Sequence, residues 1–251
     1  MNVVVVIPTY NERESLPLLV PAIMQQGPFR VLIVDDRSPD GTGAVADALA
    51  ADCPNRVEVI HRIGPRAFGR AYVEGFARAL ESGAEMICQM DADLSHDPQY
   101  LPALIRAALD HDVVIGSRYS SGVSVVNWPL HRLFLSIAAN RYIRLVTRLP
   151  VRDCTSGFRC WRRAALATLP LDHLLSDGYA FQVETIFEAA RRGCRIGEVP
   201  IIFVERRHGR SKLSSGMCFE SVLMPWRLVV RGLARKPDGA RGAEDQRSRG
   251  T

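Results

Sequence analysis

Residues 86–98 read MICQMDADLSHDP: an apolar run that ends in Asp91-Ala92-Asp93 and passes through a polar turn into a helix start. Two upstream stretches share the plan. MNVVVVIPTYNE (1–12) and RVLIVDDRSPDGT (30–42) each carry a β-branched run into a polar cluster: Pro8-Thr9-Tyr10-Asn11-Glu12 after the first, Asp35-Asp36 ending the second. Outward from these, the apolar runs Val3–Ile7, Val31–Val34, Val57–His61, Met86–Met90 and Val113–Ser117 predict strands. Between them Arg13–Gln25, Gly41–Ala51, Phe68–Ser82 and Gln99–Asp110 space their apolar residues as helices do. Continuous apolar strands alternating with helices specify an α/β fold, a mostly parallel sheet covered on both faces. Ligands of such sheets bind at the carboxyl ends of the strands, where this sequence gathers its polar clusters.

Beyond Ser117 the spacing predicts a long helix over Pro129–Arg148, with Arg132, Ser136, Asn140 and Arg144 along one face. The polar turn Asp153-Cys154-Thr155-Ser156-Gly157 follows, then a helix over Gly178–Arg192 and a strand over Ile196–Phe203. Residues 216–235 form a further helical pattern, which Pro225 is expected to kink or interrupt. Its apolar stripe of Phe219, Val222, Leu223, Trp226, Val230 and Leu233 is flanked by Arg227 and Arg231. That stripe suits a membrane interface or packing on the domain. The expected organisation is one globular domain over 1–213, an amphipathic helix over 214–235 and a disordered tail over 236–251.

Composition sets outer limits. The 251 residues are 47% apolar and 24% charged, ordinary globular usage that excludes a disordered or fibrous chain. No run of 18 uncharged apolar residues predicts a transmembrane helix, and the opening segment reads as a first strand rather than a secretory leader. Six cysteines without a C-x-x-C pair suggest reduced thiols in a cytoplasmic protein, not a zinc site or a disulfide frame. Charge divides along the chain. Residues 1–100 hold 8 Arg against 14 acidic residues, and the remainder holds 24 basic against 13 acidic. The first part suits a cation, the second phosphates or an anionic membrane, with solvated surface charge as the plain alternative. No aromatic–basic interleaving supports nucleic acid.

Asp91 and Asp93, one residue apart at a strand end, can reach one hard cation, Mg²⁺ or Mn²⁺, whose other positions water and phosphate oxygens fill. Asp36 at its strand tip suits ribose hydroxyls or a base edge, while Asp40 reads as a helix N-cap. With no G-x-G-x-x-G after the first strand and no G-x-x-x-x-G-K-[ST], a nicotinamide cofactor and a P-loop are both disfavoured.

Together the runs PTYNE (8–12), VDDRSPDGT (34–42), MDADLSHDP (90–98), GSRY (116–119), DCTSGFR (153–159), GYAFQVE (178–184) and EVPIIFVERRHGRSKL (198–213) resemble the inverting family 2 glycosyltransferases of GT-A fold. Within them they are similar to the dolichol-phosphate (polyprenol-monophosphate) mannosyltransferases. The resemblance implies that Pro8, Tyr10, Glu12, Val34 and Asp36 hold the nucleoside of GDP-mannose. It places Asp91, Ala92 and Asp93 at metal and diphosphate, with Asp91 and Asp93 the metal ligands, and Arg206 and Lys212 on the sugar nucleotide. Arg118, Arg132 and Ser136 match positions that receive the acceptor lipid's phosphate; Asp93, Arg118 and Lys212 stand nearest the chemistry. Two departures lie near the nucleotide: Arg37 stands where the family usually has Gly, and Arg66-Ala67-Phe68-Gly69-Arg70 replaces a Gly-rich stretch.

The implied reaction moves mannose to a polyprenyl phosphate, giving polyprenyl phosphate mannose and GDP. A phosphate nucleophile is already anionic at neutral pH, so no His or Glu is nominated as base. The implied setting is the cytoplasmic face of a membrane, as a peripheral enzyme with a possible separate membrane subunit. One alternative keeps the fold with UDP-glucose or another nucleotide sugar and a lipid-phosphate or saccharide acceptor; another is a silent nucleotide-binding protein. Tyr119 and Trp128 fit the acceptor lipid or the core equally, and Gln182 and Glu184 carry no assigned role.

Overall fold

The computed structural model describes residues 1–174, 176, 178–205 and 215–234, except the side chains of 179, 215–222, 233 and 234. Its strands are β1 (Val3–Thr9), β2 (Arg30–Asp35), β3 (Val57–His61), β4 (Met86–Gln89), β5 (Val113–Ser117), β6 (Val125–Val126), β7 (Arg159–Arg162), β8 (Ile196–Pro200) and β9 (Phe203–Val204). Seven form one sheet in the order β3-β2-β1-β4-β7-β5-β8, and β6 pairs with β9 apart from it. Every pairing is parallel except the two that β7 makes, with β4 and with β5. The helices are α1 (Leu16–Gln25), α2 (Thr42–Asp52), α3 (Phe68–Glu81), α4 (Leu101–Ala107), α5 (Leu130–Thr147), α6 (Arg163–Leu166), α7 (Gly178–Arg191) and α8 (Ser215–Ala234).

β1 shows why the sheet is buried twice over. Its successive side chains point to opposite faces. Val4 and Val6 enter a core shared with α3, α5, α7 and α8, while Val3, Val5 and Ile7 enter a second core with α1, α2 and α4. On the first face α3 comes so close that only a glycine fits. A Cβ on Gly75 would overlap Val6 Cγ1 and lie 3.1 Å from Val34 Cγ2.

Several predicted bounds move for local reasons. α1 starts at Leu16 rather than Arg13, because the amides of Ser15 and Leu16 both donate to Glu12 O in a preceding turn. The segment from Gln99 opens as a 3₁₀ turn over Pro98–Tyr100 before α4. Asp40 is not the N-cap of α2: Gly41, at φ 90°, holds that place, and Asp40 instead accepts from the Thr42 amide at 3.0 Å. The strand predicted to run to Phe203 stops at Pro200, and Phe203 belongs instead to β9, paired with β6 outside the main sheet. Pro225 lies inside an uninterrupted α8. That helix packs through Met224 and Leu228 into the α3-side core, while Trp226 and Val230 of the predicted stripe stand 55% and 63% exposed. The side chains of the stripe's Phe219, Val222 and Leu233, and the whole tail from residue 236, lie outside what the structure describes.

β7 positions the site. Running against β4 and β5, with Arg159 opposite Gln89 and Ile115, it starts at the edge where its parallel neighbours end. The 153–157 turn is thereby delivered beside the tips of β4 and β5. Three tips at that edge carry left-handed residues other than glycine: Asn11 (φ 60°), Arg37 (φ 60°) and Leu94 (φ 62°). Such conformations are strained and concentrate at functional sites. At Arg37 the strain explains why glycine is the easier residue there.

Candidate active site

The acidic tip after β4 is held from below. The Asp91 amide donates to His96 Nδ1 at 3.2 Å, so that nitrogen carries no proton. Burial pushes the His96 pKa down against the pull of Asp91 and Asp93, leaving a neutral ring stacked on Phe158 at 5.0 Å. Tyr72 reaches across from α3 and donates its hydroxyl to Asp91 Oδ1 at 3.3 Å. Burial, then the charge of Asp91, pushes the Tyr72 pKa well above its ordinary value, so it remains a donor. Asp93 Oδ1 accepts from the Ser95 amide at 3.1 Å and from the Ser95 hydroxyl. Ala92 between the two acids is buried. Among the described residues no group of three or more His, Cys, Asp or Glu assembles as a metal site. Asp91 and Asp93 would offer a cation at this tip carboxylate oxygen, the donor type that suits Mg²⁺ or Mn²⁺.

The residues expected around the nucleoside line the neighbouring tips. Pro8 and Val34 are register partners on β1 and β2, and both are buried, so what they offer a ligand is backbone. Asp36 is committed to a buried ion pair with Arg62, and its Oδ2 accepts the Ala67 amide at 2.8 Å. Each carboxylate oxygen retains capacity for a further donor. Arg66 lies over the Tyr10 ring, 3.8 Å from its centroid. The substituted 66–70 segment thus supplies a cation–π partner to the expected nucleoside residue. Glu12 links the tips of β1 and β2: its amide donates to Thr42 Oγ1 at 2.9 Å and its carboxylate accepts from Ser15 Oγ.

The expected acceptor residues also converge, with partners the sequence did not signal. Arg118, at the end of β5, is only 5% exposed and meets the fully buried Asp153 in a two-pronged pair, Nε–Oδ2 2.7 Å and Nη2–Oδ1 2.6 Å. Its Nη2 also donates to Thr155 Oγ1 at 2.7 Å. Burial would raise the Asp153 pKa, but Arg118 outweighs it and holds the carboxyl below its ordinary range. Arg132 forms an ion pair with Glu205 and stacks on the Trp128 ring at 4.3 Å. Ser136 bonds the Tyr119 hydroxyl at 2.7 Å. The helix face from Arg132 to Arg144 does not act as one surface. Asn140 is buried and holds the 153–157 turn by accepting the Cys154 amide at 2.8 Å and donating to Thr155 at 3.2 Å, while Arg144 is exposed. Trp128 Nε1 and Ser120 Oγ are buried without a hydrogen-bond partner among the described residues.

The two clusters adjoin. His96, which braces Asp91, meets the edge of Phe203 at 5.5 Å, and Phe203 lies 5.5 Å from both the Trp128 ring and the Arg118 guanidinium. Arg206 and Lys212 lie outside the described residues. Sequence reasoning missed Tyr72, His96, Asp153 and Glu205 as site-builders. Of these, only Asp153 stood out, as the head of a polar turn between helices.

A strand-end acidic pair on a mostly parallel, helix-flanked sheet defines a class, and the comparisons agree: residues 4–169 match the model of Glycosyl transferase family 2. The chain belongs to that family and is a glycosyltransferase. It is 46% identical over 242 residues to an undecaprenyl-phosphate mannosyltransferase of Micrococcus luteus, spanning 96% of this chain and 98% of that one. It is 43% identical over 240 residues to a polyprenol monophosphomannose synthase of Mycolicibacterium smegmatis, spanning 95% and 89%. Among solved structures, glucosyl-3-phosphoglycerate synthase of Mycobacterium tuberculosis, in complex with Mn²⁺, UDP and glucosyl-3-phosphoglycerate, matches with TM-score 0.64 at 15% identity, covering 95% of this chain and 82% of that one. That likeness is one of fold.

Proposed function

We propose that the chain transfers mannose from GDP-mannose to a polyprenyl phosphate, with inversion at the anomeric carbon, releasing GDP. One observation carries the proposal: an acidic tip and a two-arginine, indole-lined cluster stand side by side at one sheet edge, joined through His96 and Phe203. The names borne by the two relatives, a mannosyltransferase and a phosphomannose synthase of polyprenyl phosphates, point the same way.

The donor nucleoside lies over Tyr10, Glu12 and Asp36 and the backbone of Pro8 and Val34, with its diphosphate at Asp91, Ala92 and Asp93. Asp91 and Asp93 are the residues that would hold Mg²⁺ or Mn²⁺, and the Mn²⁺ present in the fold neighbour's complex is consistent with such use. When bound, the ion supplies charge neutralisation at the departing diphosphate. Tyr72 and His96 fix the carboxylate and backbone of Asp91 so that the tip is oriented before substrate arrives. Arg206 and Lys212 remain part of the proposal as phosphate contacts.

The acceptor phosphate enters at Arg132, Trp128 and Ser136. Arg132 exchanges Glu205 for the phosphate, while Arg118, locked to Asp153, shapes the floor of the cluster. A phosphate monoester already carries about −1.5 to −2 charge at neutral pH, so the attacking oxygen needs no base.

The lipid tail reaches a membrane surface along α5 and α8. Leu130, Phe134, Leu135 and Leu145 on α5 and Trp226 and Val230 on α8 are exposed, beside the exposed Arg141, Arg144, Arg227 and Arg231. Apolar side chains flanked by arginines suit an anionic interface. No helix among the described residues is long and apolar enough to cross a membrane. The enzyme works as a peripheral protein on the cytoplasmic face, alone or with a membrane subunit.

The test is transfer of radiolabelled sugar to a short polyprenyl phosphate. GDP-mannose, UDP-glucose and UDP-mannose are compared, with and without EDTA, for the wild type and Asp93→Ala. Incorporation from GDP-mannose alone, abolished by EDTA and by Asp93→Ala, is the expected result. Equal turnover of the folded variant, or preference for a UDP-sugar, refutes the assignment concerned.

A further inference from the structure

Behind the acidic tip runs a relay of side chains that the reaction above does not use. Trp161 on β7 donates its indole N–H to Gln89 Oε1 on β4 at 2.9 Å, and Gln89 Nε2 donates to Gln182 Oε1 on α7 at 2.7 Å. An indole nitrogen can only donate. It therefore fixes which end of the Gln89 amide is oxygen, and Gln89 in turn fixes Gln182. The amide of Gln182 is left no choice: its NH₂ end must face away from the relay. Gln182 is only 3% exposed, and its Nε2 is buried without a hydrogen-bond partner among the described residues.

The unpartnered end lies beside Gly157, next to the acidic tip. Gly157, in the turn before β7, has no side chain, and both Gln182 Nε2 and the Asp91 carboxylate approach the space beside its Cα. A Cβ there would stand 3.2 Å from Nε2 and 3.3 Å from each Asp91 oxygen. A group lying against that bare Cα meets an obligate donor and an anionic acceptor together. A diphosphate oxygen can only accept, so it could bond the amide but not the carboxylate directly. A sugar hydroxyl accepts from the amide and donates to the carboxylate at once. A neutral amide is also a poor counterpart for phosphate in a chain whose default cation is arginine.

We propose that Gln182, held by Trp161 and Gln89, is a specificity-determining residue that binds one hydroxyl of the transferred hexose across the Gly157 gap, jointly with Asp91. The assignment rests on the donor reading given above. It explains why a glycine ends the 153–157 turn and why two amides and an indole are spent at the sheet centre.

Calorimetric titration separates the sugar from the rest of the donor. GDP, GDP-mannose and its monodeoxy analogues, each with Mn²⁺, are titrated into the wild type and Gln182→Met. The variant should bind GDP as the wild type does and GDP-mannose roughly tenfold more weakly, the loss of about one good hydrogen bond. One deoxy analogue should bind the wild type more weakly than GDP-mannose does, and that difference should vanish in the variant. Unchanged GDP-mannose affinity, or equal losses for GDP and GDP-mannose, overturns the proposal, the latter because the amide would then serve the metal end or the fold. If Gln182→Met does not fold, Gln182→Glu retains the acceptor for Gln89 and removes the donor. A wild type that binds no GDP-mannose refutes the donor reading itself, and the wild-type titration alone shows it.

Discussion

Asp153→Asn tests whether Arg118 is an internal charge or one offered to substrate. In the native pair both groups are buried, Arg118 almost completely and Asp153 fully. Asp153 takes three donors from Arg118: its amide at 3.0 Å, its Nε and its Nη2. Asparagine keeps the shape but sets an NH₂ against a guanidinium and leaves the positive charge without a counterion. Breaking a buried pair in this way costs about 3–5 kcal/mol. In a chain of 251 residues each kcal/mol moves Tm by roughly 2–4 °C, so a fall of about 10 °C is expected. Circular dichroism melts of Asp153→Asn, Arg118→Met and the double variant measure it. The double variant should melt above Asp153→Asn, because removing the stranded charge removes the main cost. The acid limb gives a second readout. With the Asp153 carboxyl held below its ordinary value of 3.8, the unfolded chain takes up the proton first. The pair's contribution is therefore complete above about pH 4 and lost as pH falls through the depressed value, a loss missing from Asp153→Asn. A variant melting within about 2 °C of wild type, or strictly additive changes, would refute an internal pair.

Other outcomes follow from single contacts. Gly75→Ala forces a methyl into Val6 beneath α3 and should destabilise by about 1–3 kcal/mol, read as a lower denaturant midpoint at unchanged slope. Glu205→Gln removes the competitor for Arg132 and should lower the KM for polyprenyl phosphate several-fold while leaving the KM for GDP-mannose unchanged. Cys88, Cys154 and Cys160 are fully buried, and burial pushes the Cys154 pKa up to about 12. At neutral pH all three should resist a thiol reagent until the chain is unfolded. Phe134→Asp combined with Trp226→Asp should abolish flotation with anionic liposomes while leaving the melt unchanged, since both residues are 55% exposed or more.

The parallel part of the sheet was legible because period-2 burial on both faces leaves unbroken β-branched runs. Val57–His61 and Val113–Ser117 begin and end where those runs do. β7 was not legible for the same physical reason. Its first residue, Arg159, is fully buried, its guanidinium donating to Thr185 Oγ1 and Cys154 O, and a buried arginine breaks the apolar pattern by which a strand is recognised. The pairing of β6 with β9 rests on two residues from each strand, too few for any period. In the site, Asp91 and Asp93 could be placed from their position at a strand end. Their supports could not: Tyr72 sits in a helix as an apparently ordinary core aromatic, and His96 and Gln182 bond partners 5 and 93 residues away at spacings that no strand or helix period marks. The ion pairs of Arg118, Arg132 and Asp36 were likewise invisible, because each joins segments that only the closed sheet brings together.

The reversed direction of β7 has a consequence for how the two substrates sense each other. In the reading proposed above, one five-residue turn carries Asp153 under the lipid-phosphate side and Gly157 against the sugar side, so four peptide bonds are the whole mechanical path between them. A displacement imposed at either end is delivered to the other with little chain to absorb it. Linkage then requires that the help or hindrance be mutual: whatever factor a bound nucleotide sugar adds to lipid affinity, the lipid returns to the nucleotide sugar.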